Sequence, residues 1–397
     1  MTKLSLGPRA RSTVRRATAI GLVGLVPTVA ACSLDTSSSG APNGSCVPDP
    51  ATMTAFPKDL SGLNGAGGAG GIEEVPSFGA NPGALKMYVH APASGAASAV
   101  VVALHGCTQS ASAYVSAGWN ELADKAGFAV VYAEQSSSNN MQRCFRWWEP
   151  LHTKRGQGEA ASIAAMTEWA KKKYGASKAY VTGLSAGGAM TSVMLAAYPD
   201  MFEAGAVMAG LPYACATSQN DAYACMSPGK EKSPSDWAAL LPAEAKGAGA
   251  PRVSIWHGDA DYTVRPANAE ALARQWTAAN GVAATASATE TVGGATHDVY
   301  KDASGTARVE KWIIKGMSHA VALDPKNGCG TAGAFLLDKG ICSTAKAAMF
   351  FGLVADDGTP TTPPPAGGGA SSSGGGSSSG GSSGIAGNGN PGGSDCN

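Results

Sequence analysis

Ser185 lies at the centre of a pentapeptide, Gly-Leu-Ser-Ala-Gly, whose residue types suit a nucleophile. Residues 179–182 before it have the composition of a strand, and residues 189–195 after it have that of a helix. A serine on a sharp strand-to-helix turn needs small residues two positions away on each side, and Gly183 and Gly187 supply them. The pattern predicts that the Ser185 hydroxyl stands clear of the sheet and attacks a carbonyl carbon in an acyl-transfer reaction.

The histidines that follow Ser185 are candidates for the general base that a weak serine nucleophile needs. With the nucleophile on such a turn, the chain order is serine, acid, histidine, and only His257, His297 and His319 come after Ser185. His319 follows the strand-like segment 308–314, and its small neighbours let the imidazole reach over the nucleophile, so it is the predicted base. His257 ends a strand before any acid and is predicted to be structural. His297, in a loop or at a strand start, is the weaker alternative.

Two aspartates after the strand-like segment 252–257 are candidates for the acid that orients the base. Asp261 lies deeper in the turn and precedes the start of a helix, so its carboxylate can reach back towards His319. Asp259 is better suited to stabilising the turn itself. Asp261 is therefore the predicted acid, with Asp259 as the alternative.

Backbone N–H groups are needed to stabilise the oxyanion that develops during acyl transfer. One is predicted to be the N–H of Ala186, directly after the nucleophile. The other is predicted to be the N–H of Cys107, in the segment 104–109 after an early strand. His105 precedes Ser185 in the chain and is expected to pack and hydrogen bond beneath this oxyanion loop.

The segments between these residues alternate between two types of pattern. Short apolar runs predict strands and longer runs with helical spacing predict helices, which together indicate a doubly wound, mostly parallel α/β sheet in one catalytic domain. Ligands of such sheets bind beyond the carboxyl ends of the strands, where the candidate residues lie. The predicted strands are 86–91, 98–105, 128–134, 178–184, 203–209, 252–257 and 308–314, and the predicted helices are 111–126, 156–174, 186–198, 265–279 and 344–354.

The two ends of the chain differ in composition from its centre. Residues 1–31 have a basic start and a short apolar stretch, as an export signal has, and Val-Ala-Ala before Cys32 resembles a bacterial lipobox. We expect lipidation at Cys32 as the one membrane contact, with plain secretion as the alternative, and so an extracellular or cell-envelope location. Residues 32–50 and 356–397 are rich in Ser and Gly and predict a flexible tether and a low-complexity tail around a catalytic domain at 51–355.

Cysteine usage and charge narrow the chemistry further. If Cys32 carries lipid, eight cysteines remain, an even number that suits disulfides in an oxidising compartment. No cysteine or histidine cluster has zinc spacing, so no metal site is indicated. The 29 basic residues balance the 29 acidic ones, and the sequence has no basic cluster interleaved with aromatic residues. A nucleic-acid partner is therefore not expected. The expected pairs are Cys107 with Cys144, Cys215 with Cys225 and Cys329 with Cys342, which leave Cys46 and Cys396 without an assigned partner.

Several stretches together resemble the polyhydroxybutyrate (PHB) depolymerase family of esterases, and they span nearly all of 83–352. The resemblance implies an α/β-hydrolase fold, no cofactor, a triad of Ser185, Asp261 and His319, and an oxyanion hole at Cys107 and Ala186. The matching stretches are LHGCTQ (104–109), YAEQ (132–135), RCFRWWEP (143–150), GLSAGGAM (183–190), AGLPY (209–213), WHGDAD (256–261) and GMSHA (316–320).

The same resemblance leaves the substrate open. Hydrolysis of a short-chain-length polyhydroxyalkanoate is the first expectation, and a feruloyl or acetylxylan esterase acting on plant cell-wall polysaccharide is the alternative. A third alternative is a lipoprotein that binds at the cell surface and has no catalytic activity. Trp147 and Trp148 either line a substrate subsite or anchor a long loop in the core, and Tyr213 and Trp237 are weaker candidates for the same role.

Overall fold

A computed structural model describes residues 71–355 and 360–361 of the chain. The predicted export signal 1–31, the tether 32–50 and most of the tail 356–397 lie outside the described residues, as do Cys32, Cys46 and Cys396. The boundaries expected for these segments and for the catalytic domain at 51–355 therefore stay predictions.

A ten-stranded sheet forms the centre of the described chain, in the order β1-β2-β4-β3-β5-β6-β7-β10-β9-β8. Six neighbouring strands, from β4 to β10 in that order, pair in parallel, and antiparallel strands complete both edges. Two short strands, β11 and β12, pair separately. The strands are Glu73–Glu74 (β1), Lys86–His90 (β2), Ala99–Leu104 (β3), Ala129–Glu134 (β4), Lys178–Leu184 (β5), Ala204–Met208 (β6), Arg252–Gly258 (β7), Ala288–Val292 (β8), Ala295–Lys301 (β9), Ala307–Ile314 (β10), Val321–Leu323 (β11) and Leu336–Asp338 (β12).

Nine α-helices occur in the described part of the chain, and none of them is long and apolar enough to cross a membrane. They are Ala111–Val115 (α1), Trp119–Ala126 (α2), Pro150–Thr153 (α3), Gly158–Tyr174 (α4), Ala186–Ala197 (α5), Gln219–Met226 (α6), Pro234–Ala239 (α7), Ala267–Ala279 (α8) and Ser343–Phe351 (α9).

The central strands are buried along their length, as their composition predicts. Every residue of β3, with the sequence AVVVAL, is buried, because helices cover both faces of the parallel sheet. The same holds for β6. The predicted doubly wound, mostly parallel sheet is therefore confirmed.

The fold contains elements that the sequence-based expectation lacks, namely β1, β11, β12, α3, α6 and α7, and it differs from that expectation in two further parts. The single helix predicted over 111–126 is two helices, because the chain turns at Gly118 with a φ of +91°, a conformation that glycine adopts without strain. The hairpin of β8 and β9 was not predicted as such, since most residues of β8 are exposed and give no apolar signal. Of the two positions expected for His297, a loop or a strand start, the structure shows the second: it is the third residue of β9.

A stack of aromatic side chains joins the strands that lead to the candidate site. Trp256 of β7 stacks on Trp312 of β10 with ring centroids 4.6 Å apart, and His297 of β9 also stacks on Trp312, with ring centroids 3.7 Å apart. These three residues are also cross-strand neighbours in the register of the sheet. The stack thereby fixes β7 against β10, whose carboxyl ends carry Asp261 and His319.

Three disulfides close loops within the residues that the structure describes: Cys107–Cys144, Cys215–Cys225 and Cys329–Cys342. All three pairs were predicted from the sequence and are confirmed. The first joins the segment after β3 to the long connection that follows β4.

Candidate active site

Ser185 lies at the turn between β5 and α5, with a φ of +58° that places a non-glycine residue in a strained backbone conformation. Its N–H donates to the carbonyl of Met208 at the end of β6, at 2.9 Å. A side chain at Gly187 would collide with the carbonyl oxygens of Leu104 and His105. The turn therefore packs directly against the loop that follows β3, which explains the need for glycine.

Asp261 and His319 are joined by a hydrogen bond of 2.7 Å between Oδ2 and Nδ1. The other carboxylate oxygen of Asp261 accepts the N–H groups of Thr263 and Val264 at 2.9 Å each, and the side chain is 1% exposed. A carboxylate can only accept, so Nδ1 of His319 donates. Its Nε2 is then left with the lone pair that a general base needs.

Ser185 and His319 both follow strands of the parallel part of the sheet, whose carboxyl ends lie at one edge. Within residues 71–355 and 360–361, neither Ser185 Oγ nor His319 Nε2 has a hydrogen-bond partner. The structure therefore joins His319 to Asp261 by a hydrogen bond but shows none between Ser185 and His319. Such bonds commonly tighten only once substrate is bound.

Asp259 and His257 hold the surroundings of Asp261 in place. Asp259 accepts the N–H of Gly316 at 2.6 Å and so ties the loop after β7 to the loop after β10. His257 is fully buried, and its Nε2 lies 2.7 Å from the carbonyl of Val264 and 3.4 Å from Oδ2 of Asp261. Burial lowers the pKa of His257, which favours the neutral ring. The sequence indicated a structural role for His257, but not this contact with the Asp261 carboxylate.

The N–H groups of Cys107 and Ala186 were predicted to form an oxyanion hole. Neither donates a hydrogen bond to any residue that the structure describes. The Cys107–Cys144 disulfide and a hydrogen bond of 2.6 Å from Thr108 N–H to the carbonyl of Gln142 anchor the loop on one side. Thr108 has a φ of +66°, so the backbone beside Cys107 is held in an uncommon conformation.

Buried polar groups support this loop from beneath. His105 accepts the N–H of Gln135 at Nε2, 3.0 Å away, and so donates from Nδ1 to the carbonyl of Gly106 at 2.7 Å. Burial lowers the pKa of His105 to about 4, and the ring is neutral. The Gln135 amide in turn donates to the buried carboxylate of Glu159, which also accepts the N–H of Arg146 at 2.8 Å. Burial raises the pKa of Glu159 to about 7. The position of His105 beneath the loop agrees with the prediction, whereas no sequence pattern pointed to Gln135 or Glu159.

A cavity of about 280 Å³ opens beside His319. Its walls are largely apolar and come from the turn after β7 and from the segment before β12. They are Ala260, Tyr262, Thr263, Ser318, His319, Phe335 and Leu337. The side chains of Trp147 and Trp148 do not line it: both belong to the hydrophobic core, at 5% and 9% exposure.

The two tryptophans contact each other edge to face, with centroids 5.6 Å apart. Their role as a substrate subsite stays a prediction. Trp237 is fully buried, and Tyr213 lines a different surface cavity beside Arg155. No group of three His, Cys, Asp or Glu side chains among the described residues converges in a way that could hold a metal ion.

Comparison with known proteins identifies the chain's relatives. The sequence profile of the family described as esterase PHB depolymerase matches residues 84–300, more than half of the chain. The chain belongs to this family. The PHB depolymerase family profile thus covers Ser185 and Asp261 and ends before His319.

Individual proteins similar to this member of the PHB depolymerase family are also named as depolymerases or esterases. Poly(3-hydroxyalkanoate) depolymerase C of Paucimonas lemoignei is 48% identical over 291 residues, which are 71% of this chain and 70% of that protein. Feruloyl esterase B of Talaromyces stipitatus is 33% identical over 270 residues, which are 64% of this chain and 74% of that protein. The chain is therefore a carboxylic ester hydrolase, and the predicted class of enzyme is confirmed.

A solved structure supports the fold of this PHB depolymerase family member. The acetyl xylan esterase from Aspergillus awamori superposes with a TM-score of 0.59 at 28% identity, and the match covers 71% of this chain and 99% of that one. The predicted α/β-hydrolase fold is therefore confirmed.

Proposed function

We propose that the chain is an exported serine esterase that hydrolyses short-chain-length polyhydroxyalkanoate through Ser185, His319 and Asp261. The observation that carries the proposal is the 2.7 Å hydrogen bond from His319 Nδ1 to Asp261, which leaves Nε2 basic at the sheet edge where Ser185 lies. No cofactor enters the proposed reaction.

The proposed reaction has two steps. His319 Nε2 takes the Ser185 proton as Oγ attacks the ester carbonyl, and Asp261 stabilises the imidazolium that forms. The N–H groups of Cys107 and Ala186 bind the oxyanion, each worth about 3 kcal/mol in the transition state. His319 then protonates the departing alkoxide oxygen, and the acyl group stays on Ser185. Water, deprotonated by His319, attacks this acyl-enzyme, and His319 then returns that proton to Ser185 Oγ as the acid leaves.

The substrate assignment rests on the relatives and on the cavity. The most extensive match described above is to a poly(3-hydroxyalkanoate) depolymerase, at 48% identity. The walls of the cavity beside His319 include Tyr262, Phe335 and Leu337, and carry no charged side chain apart from the imidazole when it is protonated. An apolar cavity of this kind suits an aliphatic polyester more than a charged ligand.

The proposed location is the cell-envelope surface or the extracellular medium, with a lipid anchor on Cys32. Three disulfides in the described chain support an oxidising compartment, and the Val-Ala-Ala-Cys sequence supports lipidation. Mass spectrometry of the mature N-terminus tests the anchor: a diacylglyceryl group on Cys32, lost in Cys32→Ser, is expected. An unmodified N-terminus at another residue would instead support plain secretion.

The second candidate is an esterase of plant cell-wall polysaccharide, which the similarity to a feruloyl esterase and an acetyl xylan esterase favours. The deciding experiment compares the clearing of a PHB suspension with the release of ferulate or acetate from xylan, at equal enzyme concentration. Clearing of PHB with little release from xylan is expected, and the opposite result would reassign the substrate. Ser185→Ala serves as the control in both assays.

A non-catalytic binding protein is the third alternative. A fluorophosphonate probe that labels the parent and not Ser185→Ala would exclude it, because labelling requires an activated serine. Absence of labelling in a folded parent would support it.

A further inference from the structure

Glu159 is a buried carboxylate that the proposed reaction does not use. Its side chain is 0% exposed and lies in the first turn of α4. Burying an ionised carboxylate costs free energy unless hydrogen bonds replace the water that it loses. For Glu159 these hydrogen bonds come from Gln135 and Arg146, and both residues lead to the oxyanion loop.

The Glu159 carboxylate joins the end of β4 to the segment that carries Cys144. Its Oε1 accepts the side-chain amide of Gln135 at 2.5 Å and the Nε–H of Arg146 at 3.3 Å. Its Oε2 accepts the backbone N–H of Arg146 at 2.8 Å. Gln135 directly follows β4, and Arg146 lies two residues after Cys144. All of these partners are donors, and an ionised carboxylate, which can only accept, satisfies them.

Gln135 connects this carboxylate to the peptide group between Gly106 and Cys107. Its backbone N–H donates to Nε2 of His105 at 3.0 Å, which leaves the proton of the neutral ring on Nδ1. Nδ1 then donates to the Gly106 carbonyl at 2.7 Å. This carbonyl and the Cys107 N–H belong to one planar trans peptide and point in opposite directions. The bond from His105 therefore fixes the direction of the N–H that is proposed to bind the oxyanion.

A second connection from Glu159 to the oxyanion loop runs through a disulfide. The Gln135 amide that Glu159 accepts also donates to the carbonyl of Cys144 at 3.3 Å, and Cys144 is bonded to Cys107. The backbone N–H of Arg146, two residues further along, is held by Glu159 as well. Loss of the Glu159 carboxylate would therefore loosen both connections to Cys107.

Glu159 can change its charge near neutral pH. Burial raises its pKa to about 7, although the hydrogen bonds from Arg146 and Gln135 work to lower it. A protonated carboxyl group carries an O–H that needs an acceptor, whereas the contacts of Glu159 described above are all donors. Protonation therefore breaks at least one of these bonds. Burial lowers the pKa of His105 to about 4, so that ring stays neutral while Glu159 titrates.

The other charged or titratable side chains around Glu159 are those of Arg146, His152 and Glu149. The Arg146 guanidinium contacts Oε1 of Glu159 at 3.3 Å and Glu149 at 3.5 Å. The His152 ring lies 3.8 Å from Oε1 of Glu159 and 3.7 Å from Glu149, and its Nδ1 accepts the backbone N–H of Glu159 at 3.2 Å. Burial lowers the pKa of His152, and the charge of Arg146 lowers it further. His152 therefore adds no positive charge beside Glu159 at neutral pH.

We propose that Glu159, in its ionised form, is a positioning residue that holds the peptide between Gly106 and Cys107 in the orientation that binds the oxyanion. The proposal rests on the proposed esterase function and adds a residue to it. Glu159 acts through Gln135 and His105 and does not contact the substrate. Ester hydrolysis then depends on the charge of Glu159 as well as on the triad.

Kinetics of the full-length enzyme on p-nitrophenyl butyrate test the proposal. Glu159→Gln keeps the size of the side chain but replaces one acceptor oxygen by an NH2 group that faces donors. Glu149→Gln is the matched control, because it removes the other carboxylate that pairs with Arg146. The values of kcat and KM are measured for the parent and both variants from about pH 5.5 to 9.

Above about pH 8, Glu159→Gln should lower kcat about 10–100-fold, because a displaced oxyanion donor no longer stabilises the transition state. KM should change less than about threefold, because the oxyanion is absent from the bound substrate. The parent-to-variant ratio of kcat should fall as the pH falls through about 7, since the protonated parent resembles the variant. Titration of the triad is common to both enzymes and cancels in this ratio. Glu149→Gln should stay within about twofold of the parent at every pH.

A parent-to-variant ratio that does not change with pH would assign Glu159 a purely structural role and overturn the inference. A loss of kcat below about tenfold in folded Glu159→Gln above about pH 8 would overturn it as well. If the melting temperature shows that Glu159→Gln does not fold, Gln135→Leu decides, because it removes the amide that links Glu159 to the loop. A loss of kcat above about threefold in Gln135→Leu supports the proposal, and a smaller loss overturns it.

Failure of the proposed function is a separate result. It shows as equal hydrolysis of p-nitrophenyl butyrate by the parent and by Ser185→Ala, whatever the Glu159 variant does. Failure of the inference alone shows as hydrolysis that requires Ser185 but has the same pH dependence in the parent and in Glu159→Gln.

Discussion

His319 Nδ1 donates to the Asp261 carboxylate at 2.7 Å, although 58 residues separate the two in sequence. The strands before them, β7 and β10, are parallel neighbours, and Trp256 pairs with Trp312 in their register. The loops that leave these strands therefore begin side by side at the carboxyl edge of the sheet. The Asp259 carboxylate, which accepts the N–H of Gly316, then joins the two loops directly.

The first prediction separates the two aspartates after β7. Asp261→Asn should lower kcat by about 10⁴-fold, because the amide favours the wrong histidine tautomer and no longer stabilises the imidazolium. Asp259→Asn is the matched control. It should lower the melting temperature slightly and leave kcat within about tenfold, since Asp259 contacts a backbone N–H only. Steady-state kinetics on p-nitrophenyl butyrate measure both. A larger loss of kcat in Asp259→Asn than in Asp261→Asn would assign the role of the orienting acid to Asp259.

The second prediction concerns the pH dependence of stability at His297. Burial works to lower the pKa of His297, but hydrogen bonds to Glu310 and Glu290 outweigh it and raise the pKa above the ordinary 6.5. A raised pKa means that the folded protein binds the proton more tightly than the unfolded chain. The resulting stability is present in full below pH 6.5 and is lost as the pH rises through the folded pKa.

Melting temperatures of the parent and of His297→Gln, measured from about pH 5.5 to 9, test this. The parent should exceed the variant most at low pH, and the difference should shrink as the pH rises. A difference that grows with pH would contradict the assigned charge state of His297.

The third prediction concerns the Cys107–Cys144 disulfide, which spans 37 residues and anchors the oxyanion loop. Replacing both cysteines by serine should destabilise the fold by about 2–4 kcal/mol and lower kcat about 10–100-fold, because the Cys107 N–H loses its fixed position. The matched control removes Cys215–Cys225, which spans 10 residues outside that loop. Removal of this second disulfide should lower the stability by a comparable amount and leave kcat unchanged. Equal effects of the two double variants on kcat, at a temperature where both are folded, would argue against an oxyanion role for the loop.

Much of this arrangement could be predicted from the sequence because the strands are short, apolar and follow one another in a regular alternation. The β5 strand occupies the predicted 178–184, and Ser185 follows it directly. The turn glycines and the Cys215–Cys225 and Cys329–Cys342 pairs are local signals, and the chain order of the polar residues follows the order of the strands. They were sufficient for the parallel part of the sheet and for the ester hydrolase family.

What the sequence did not indicate depends on contacts between distant segments. Phe335 lines the cavity because Gln109, 226 positions earlier, holds the neighbouring Ala334, and no spacing rule connects them. Glu159 is connected to the oxyanion loop through Gln135 and His105, which lie 24 and 54 positions before it in the sequence. The hairpin of β8 and β9 has an exposed outer strand, so hydrophobic patterning could not find it.

The central claim is that Ser185 is the nucleophile, and hydrolysis by Ser185→Ala tests it most directly. The parent and the variant are purified in parallel, shown to have the same melting temperature, and assayed on p-nitrophenyl butyrate and on a PHB suspension. A loss in kcat of about 10⁶-fold is expected, because the members of a triad act as a unit. Residual hydrolysis within about tenfold of the parent would contradict the account.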